Sequence, residues 1–174
     1  MPDKLVSRIT RGLLAEILGE CGWKVTLEGN DEAPRIASAV NGVNFNIHFG
    51  TRCTDGDGWT DFTVSAPFAI DEEISSVLGA FWNRRNRFAR VYRTDKQLLI
   101  EMDVIVAGGV SRDHLKYQFA VWNDLTTLFL RHLKADHAVL ARQSAARAAG
   151  LESAGTAPIT PKAIASTPVG TLSA

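Results

Sequence analysis

The sequence predicts an α+β domain of two layers, in which a mostly antiparallel sheet carries helices on one face. Apolar residues recur at helical spacing in three segments, and apolar and polar residues alternate in six others. The alternating segments group in hairpins, which favours an antiparallel sheet over parallel winding. Because each strand is apolar on one side only, we expect the helices to cover one face and leave the other polar. The predicted order is α-β-β-β-β-α-β-β-α.

The first helix is predicted between Val6 and Cys21, with Ile9 near the start of its apolar stripe. Ser7 and Thr10 are alternative N-caps, because their hydroxyl groups can accept a hydrogen bond from the first helical turn. Gly22 is expected to end the helix, since glycine readily adopts the left-handed conformation that follows many helices.

Four strands are predicted next, the first two over residues 23–28 and 35–40. Asn41-Gly42 then suits a two-residue hairpin turn, since both residues tolerate positive φ. The third strand, Val43 to Phe49, alternates apolar and polar side chains. These alternations predict a meander with one polar face.

The fourth strand is predicted from Trp59 and is expected to stop at Pro67, which has no backbone N–H to donate. The polar side chains of the third and fourth strands define a candidate interaction surface: Asn44, Asn46, His48, Trp59, Asp61 and Thr63. Trp59 is its unusual member, because a large aromatic side chain on a polar face is typical of a contact with a partner.

The second helix is predicted to begin near Asp71, which suits an N-cap. Its apolar stripe ends with Phe81 and Trp82, and both side chains are expected to be buried. Asn83 is expected to bond to the local backbone and help to stop the helix.

Two more strands are predicted over residues 88–93 and 97–106, with Phe88 starting the first of them on the core side. Ser111 is expected to cap the third helix, which continues with declining amphipathicity to about Ala149.

The chain changes character from residue 150 onwards. The last 25 residues contain no Phe, Trp or Tyr, and they hold three of the six prolines. Such a segment buries too little apolar area to offset its ordering entropy. We therefore predict a domain over residues 1–149 and a disordered tail of Ala, Pro, Ser and Thr over residues 150–174.

Composition excludes several classes of protein. Nineteen basic residues balance nineteen acidic ones, so the chain is neither a polycation for nucleic acid nor an acidic disordered protein. No apolar run reaches the ~18 residues of a membrane span, and the first residues do not resemble a secretory signal. Cys21 and Cys53 are expected to be reduced thiols, which indicates a cytoplasmic protein.

Five arginines follow one another closely in a stretch with no acidic residue between Ile74 and Thr94: Arg84, Arg85, Arg87, Arg90 and Arg93. They are a candidate patch for an anion or a nucleic acid. The alternative is a solvated helix end with cross-strand ion pairs, for which Glu101 and Asp103 are plausible partners.

The sequence contains no recognisable catalytic or cofactor motif. It lacks a GxSxG segment, a phosphate loop and a GxGxxG segment after a strand. The run Asp55-Gly56-Asp57-Gly58 lacks the ligands of a calcium loop, and the four histidines lack metal-site spacing. We therefore predict neither an enzyme nor a metal or cofactor site.

The stretch from Trp82 to Trp122 is the most distinctive, with WNRRNRF, a hairpin, LLIEMDVIVAGGVS and a helix with a central tryptophan. It resembles the YbjN family of bacterial proteins, described as sensory-transduction regulators. Cys21-Gly22-Trp23 and the hairpin at Asn41-Gly42 extend the resemblance over roughly residues 10–133.

The resemblance implies a fold like that of type III secretion chaperones, often dimeric and with no known catalytic centre. The function it favours is a non-enzymatic protein-binding module, chaperone-like or a regulatory adaptor of bacterial signalling, which forms a homodimer and binds an unidentified protein partner. The alternative is binding of an anion or nucleic acid through the arginines, although two interleaved aromatics are weak evidence for nucleic acid.

Overall fold

The computed structural model describes residues 5–69, 75–94 and 97–154. Its elements are α1 (Arg11–Glu20), β1 (Val25–Glu28), β2 (Arg35–Val40), β3 (Val43–Phe49), β4 (Asp61–Ala69), α2 (Ser75–Arg85), β5 (Arg90–Thr94), β6 (Gln97–Ile105) and α3 (Arg112–Ala154). The predicted fold class and element order are confirmed. The predicted N-cap Asp71 lies outside the described residues.

All six strands form one antiparallel sheet in the order β1-β2-β3-β4-β6-β5. Consecutive strands are neighbours except at β4, which pairs with β6, so that β5 lies at the far edge. Val40 pairs with Val43 across the turn, where Asn41 and Gly42 have φ values of 51° and 78°. These values confirm the predicted two-residue hairpin.

Aromatic rings dominate the core between the helices and one face of the sheet. The ring of Trp122 on α3 meets Phe45 on β3 edge-on at 5.9 Å, and Phe119 stacks on Phe62 of β4. Trp82 on α2 meets Phe129 on α3 at 5.1 Å. The core therefore joins β3, β4, α2 and α3 through edge and stacked ring contacts.

Helix α1 starts later than predicted. Thr10 is the N-cap, and its hydroxyl accepts a hydrogen bond from the Leu13 N–H at 3.2 Å. Before it, the N-terminal segment is extended: Val6 pairs with Val110, and Ile9 pairs with Trp59. Ile9 is fully buried there, so its apolar character reflects a strand-like contact rather than the helical stripe.

Strand β4 also differs from its prediction, since it begins at Asp61 and continues through Pro67 to Ala69. Its pairing with β3 ends at Ser65, whereas its pairing with β6 extends to Ala69. Beyond Ser65, β4 pairs with β6 alone, so the missing N–H of Pro67 breaks no ladder with β3.

Phe88 does not start β5 on the core side, which is a further correction. Its φ is +73°, its side chain is 68% exposed, and β5 begins two residues later at Arg90. Val91 is the residue of β5 that enters the core. Phe81 was also predicted to be buried, but it is 38% exposed. Of these two residues only Trp82, at the end of the apolar stripe of α2, lies in the core.

Contacts divide the chain into two compact units, Met1–Ala138 and Val139–Ala174. In the second unit the described part is the helical stretch 139–154. Residues 155–174 of the predicted tail lie outside the described residues, and the boundary at residue 149 stays a prediction. Among the described residues no helix is both long and apolar enough to cross a membrane.

An ion-pair clasp joins α1 to the start of α3. Arg112 lies 2.7 Å from Glu16 and 2.6 Å from Glu20, and Lys116 lies 2.7 Å from Glu20. Hydrogen bonds from Arg112 and then Lys116 lower the pKa of Glu20 to about 2. The clasp therefore favours the charged form of this carboxylate in the folded state.

The clasp predicts acid sensitivity. Because the folded pKa of Glu20 lies below its ordinary value of 4.5, the stabilisation is complete above pH 4.5 and is lost as pH falls through about 2. We expect the variant Glu20→Gln to lose less unfolding free energy than the wild type over this window, measured by denaturant titration. Equal pH slopes would contradict this role of the clasp.

Candidate functional site

The sheet has one face that no described helix covers. This open face carries the side chains that alternate with the core residues on all six strands. Its polar, charged and small side chains include Thr26, Glu28, Arg35, Ala37, Asn44, Asn46, His48, Asp61, Thr63, Ser65, Arg90, Glu101 and Asp103, and its larger apolar ones include Tyr92, Leu99 and Ile105. Its rim is exposed at Asn44, His48 and Asp103, whereas Ser65 at its centre is 5% exposed. The open face is therefore a shallow surface of polar and small side chains on which the apolar side chains of Tyr92 and Ile105 are also exposed.

Five of the six residues predicted as an interaction surface lie on the open face, with Asp61 at the start of β4. Asn44, Asn46 and His48 alternate along β3, and Thr63 pairs with His48 from β4. Asn44 and Asn46 line a shallow depression with the small side chain of Ala37. Amide groups beside a small side chain can donate hydrogen bonds to a partner that lies across the strands, and can accept hydrogen bonds from it.

Asp61 has a local structural role. Its Oδ2 atom accepts hydrogen bonds from the Thr51 N–H at 3.1 Å and the Thr60 hydroxyl at 3.0 Å. A Cβ atom at Gly50 would overlap this carboxylate, so the turn depends on glycine for the close approach. Asp61 thus holds the turn between β3 and β4.

Trp59 lies outside β4, in the turn before it. Its ring packs against Phe49 at 4.6 Å, and the guanidinium of Arg52 lies 5.1 Å from the ring centroid. Trp59 is half-buried and lines a second depression at the margin of the sheet together with His48 and Arg35. Much of its ring is therefore engaged by the chain itself.

His48 is biased towards its neutral form. Partial burial lowers its pKa, and the charge of Arg35, its register partner on β2, lowers it further, against an opposing effect of Glu101. A neutral imidazole offers one donor and one acceptor, so His48 adds hydrogen-bonding capacity to the open face without adding charge.

A charged ladder crosses the open face from β4 to β5. Thr63 donates a hydrogen bond to Asp103 Oδ1 at 2.6 Å, and Arg90 donates to Asp103 Oδ2 at 2.6 Å and to Glu101 Oε2 at 3.0 Å. Burial, followed by a hydrogen bond with Glu101, raises the pKa of Tyr92. Both carboxylates therefore have donors within the ladder, as the predicted cross-strand ion pairs require.

The five arginines are distributed over the end of α2, the link that follows it and β5. Arg90 belongs to the charged ladder, and Arg93 lies on β5 with contacts of its own. Arg84 and Arg85 end α2, and Arg87 follows in the link to β5. No carboxylate of the described residues lies within ion-pair distance of these last three guanidinium groups.

Sequence reasoning missed two features near this site. Asn83 bonds to β5 rather than to its own helix end: its amide donates to the Val91 carbonyl and accepts from the Val91 N–H, both at 2.8 Å. Phe88 faces solvent rather than the core. The dipeptide Arg87-Phe88, which precedes an alternating segment, indicates neither the hydrogen bonds of Asn83 nor the exposure of Phe88.

Across the described ranges no three His, Cys, Asp or Glu residues come together as metal ligands.

Comparison with known proteins gives a family for the chain. A family model described as "Putative bacterial sensory transduction regulator" matches residues 10–135. No curated protein and no solved structure matches the chain.

Proposed function

The chain belongs to the YbjN family, and from this premise we propose that it is a non-enzymatic regulatory module that binds a partner protein through its open face. The observation that carries the proposal is a six-stranded sheet whose described helices all pack against one side. A sheet face of polar and small side chains can accept a partner, and the family description of a regulator agrees with a binding role.

The chemistry of the open face supports binding rather than catalysis. Glu101 and Asp103, two of its carboxylates, are both held by Arg90. A general base needs a free carboxylate or imidazole within reach of a substrate proton, in a site that shields it. The imidazole of His48 is exposed on the open face rather than enclosed in such a site. The open face instead offers exposed hydrogen-bonding groups on a rigid, flat support.

We also propose a cytoplasmic location, supported by Cys21 and Cys53, which are unpaired thiols. The chaperone-like role and the homodimer implied by the family resemblance stay predictions.

Two long side chains placed across the open face should abolish partner binding. We expect the variant Asn44→Arg/His48→Glu to keep the fold, because both positions are exposed and the new glutamate faces Arg35. Affinity capture from a lysate of the source organism, followed by calorimetry on the purified pair, should show at least about tenfold weaker binding than for the wild type.

A matched control places the same two changes of charge on α3, as Gln118→Arg/Tyr117→Glu, and should bind like the wild type. Light scattering on all three proteins distinguishes a second copy from a different partner, since a homodimer has twice the 18.9 kDa mass of one chain. Equal capture by the open-face variant and the control would contradict the proposal.

A further inference from the structure

Three arginines and one phenylalanine gather at the end of α2: Arg84, Arg85, Arg87 and Phe88. We call this set the basic cap. Arg84 and Arg85 occupy the last turn of the helix, where cations also complement the helix dipole. That effect accounts for a positive charge at the helix end, but it does not account for the third arginine or for the exposed ring that follows it.

Two of the three guanidinium groups of the basic cap lie against aromatic rings rather than carboxylates. Arg85 lies over the Phe81 ring at 4.1 Å, and Arg87 lies 5.1 Å from the centroid of Phe88. A guanidinium stacked on a ring keeps its N–H donors directed outward and retains its full charge. Within the described part of the chain these donors meet no acidic side chain.

Phe88 is the second, independent observation. A bulky residue with φ of +73° is strained, and an aromatic ring that is 68% exposed gains little from burial. The backbone on both sides is fixed, because Asn86 N–H donates to the Trp82 carbonyl at 2.8 Å and the Trp82 indole donates to the Ala89 carbonyl at 3.2 Å. Phe88 is thus presented to solvent on a rigid support.

From this geometry we infer that the basic cap binds an acidic peptide segment of a partner protein, with carboxylates on the arginines and an apolar side chain on Phe88. Arginine forks match carboxylates in two-point contacts, and arginine and aromatic residues dominate the energetics of protein interfaces. The cap is a second surface and does not depend on the proposed role of the open face.

A nucleic acid fits the cap less well than a peptide. Duplex binding draws on many phosphate contacts along an extended basic stripe, whereas the cap offers three arginines in a chain with no net charge. Asp103 and Glu101 also lie beside Phe88, around a common depression, and they would oppose a long polyanion. A short acidic segment contacts the arginines of the cap with its carboxylates and places only an apolar side chain on Phe88, next to Asp103 and Glu101.

The test uses the full chain and a fluorescein-labelled peptide of Glu and Asp interspersed with Leu, read by fluorescence anisotropy. We expect saturable binding that weakens as salt is added. The variant Arg84→Glu/Arg87→Glu should bind at least about tenfold more weakly. Lys134→Glu/Arg142→Glu, which makes the same change of charge on exposed residues of α3, should bind like the wild type.

Phe88→Gly separates binding from folding, because glycine relieves the positive φ while removing the ring. We expect weaker peptide binding with no loss of melting temperature. The open-face variant Asn44→Arg/His48→Glu should bind the peptide normally, so the two proposals can fail separately.

The inference is overturned by any of three results. These are no saturable binding of the acidic peptide to the wild type, equal loss in the α3 control, or tighter binding to a single-stranded oligonucleotide or to phosphatidylserine vesicles than to the peptide.

Discussion

Replacing Trp82 by alanine is expected to lower the free energy of unfolding by about 3–5 kcal/mol. The side chain is 1% exposed and packs edge-on against Phe129 at 5.1 Å. Its indole N–H also satisfies the Ala89 carbonyl, so the substitution leaves both a cavity and an unpaired backbone acceptor. Equilibrium unfolding in guanidinium chloride measures the loss.

The neighbouring residue supplies the control. Phe81→Ala removes an aromatic ring from the same helix, but that ring is 38% exposed and should cost much less. If the two alanine variants unfold at the same denaturant concentration, Trp82 does not anchor α2 to the core as described.

Replacing Asn83 by alanine is expected to cost about 1–3 kcal/mol, the range for leaving a partly buried hydrogen-bonding group unsatisfied. The Asn83 amide pairs with both the N–H and the carbonyl of Val91. Because β5 is an edge strand, no described strand pairs with its outer side. At Val91 the Asn83 side chain makes the hydrogen bonds that a neighbouring strand would otherwise make. Amide hydrogen exchange at Val91 should accelerate in the variant.

Asn83→Asp provides a sharper comparison. A carboxylate accepts from the Val91 N–H but cannot donate to the Val91 carbonyl, so this variant should keep Val91 N–H protection and still lose stability. Protection that is equal in all three proteins would show that the side chain does not cover the strand edge.

Sequence patterns correctly predicted the elements in which apolar residues recur at one regular spacing along the chain. The alternation of side chains in β3 and β6, and the backbone of the Asn41-Gly42 turn, are determined by residues close in sequence. The confirmed predictions of these elements rest on that local geometry. The cross-strand pairing of Arg90 with Glu101 also followed from strand alternation. These features depend on residues close in sequence or directly opposed across one hairpin.

Predictions failed where a distant contact overrides the local pattern. Ile9 has helical spacing, yet it pairs with Trp59, fifty residues away. That same pairing takes Trp59 out of β4 and turns its ring towards Phe49. Phe88 alternates correctly for a buried strand, but Trp82 fixes the backbone on either side of it, through its carbonyl to the Asn86 N–H and through its indole to the Ala89 carbonyl. The spacing of apolar residues along one sequence does not reveal such tertiary contacts.

The candidate surface was predictable in part for the same reason. Asn44, Asn46, His48 and Thr63 share a face because strand alternation and hairpin register place them there. Within the described residues Arg90 pairs with Glu101 and Asp103 whereas Arg84 and Arg87 meet no carboxylate, and this difference depends on tertiary contacts. Charge spacing along the chain could not distinguish a paired arginine from one directed into solvent.

The extended N-terminal segment sets a practical limit on how this domain can be trimmed. The family match begins at residue 10, yet Val6 and Ile9 supply backbone partners to Val110 and Trp59. A recombinant fragment cut at the family boundary would discard both partners, and it would leave a groove where the first residues normally lie. Expression boundaries for this protein should therefore follow its hydrogen bonds and begin upstream of the recognisable family segment.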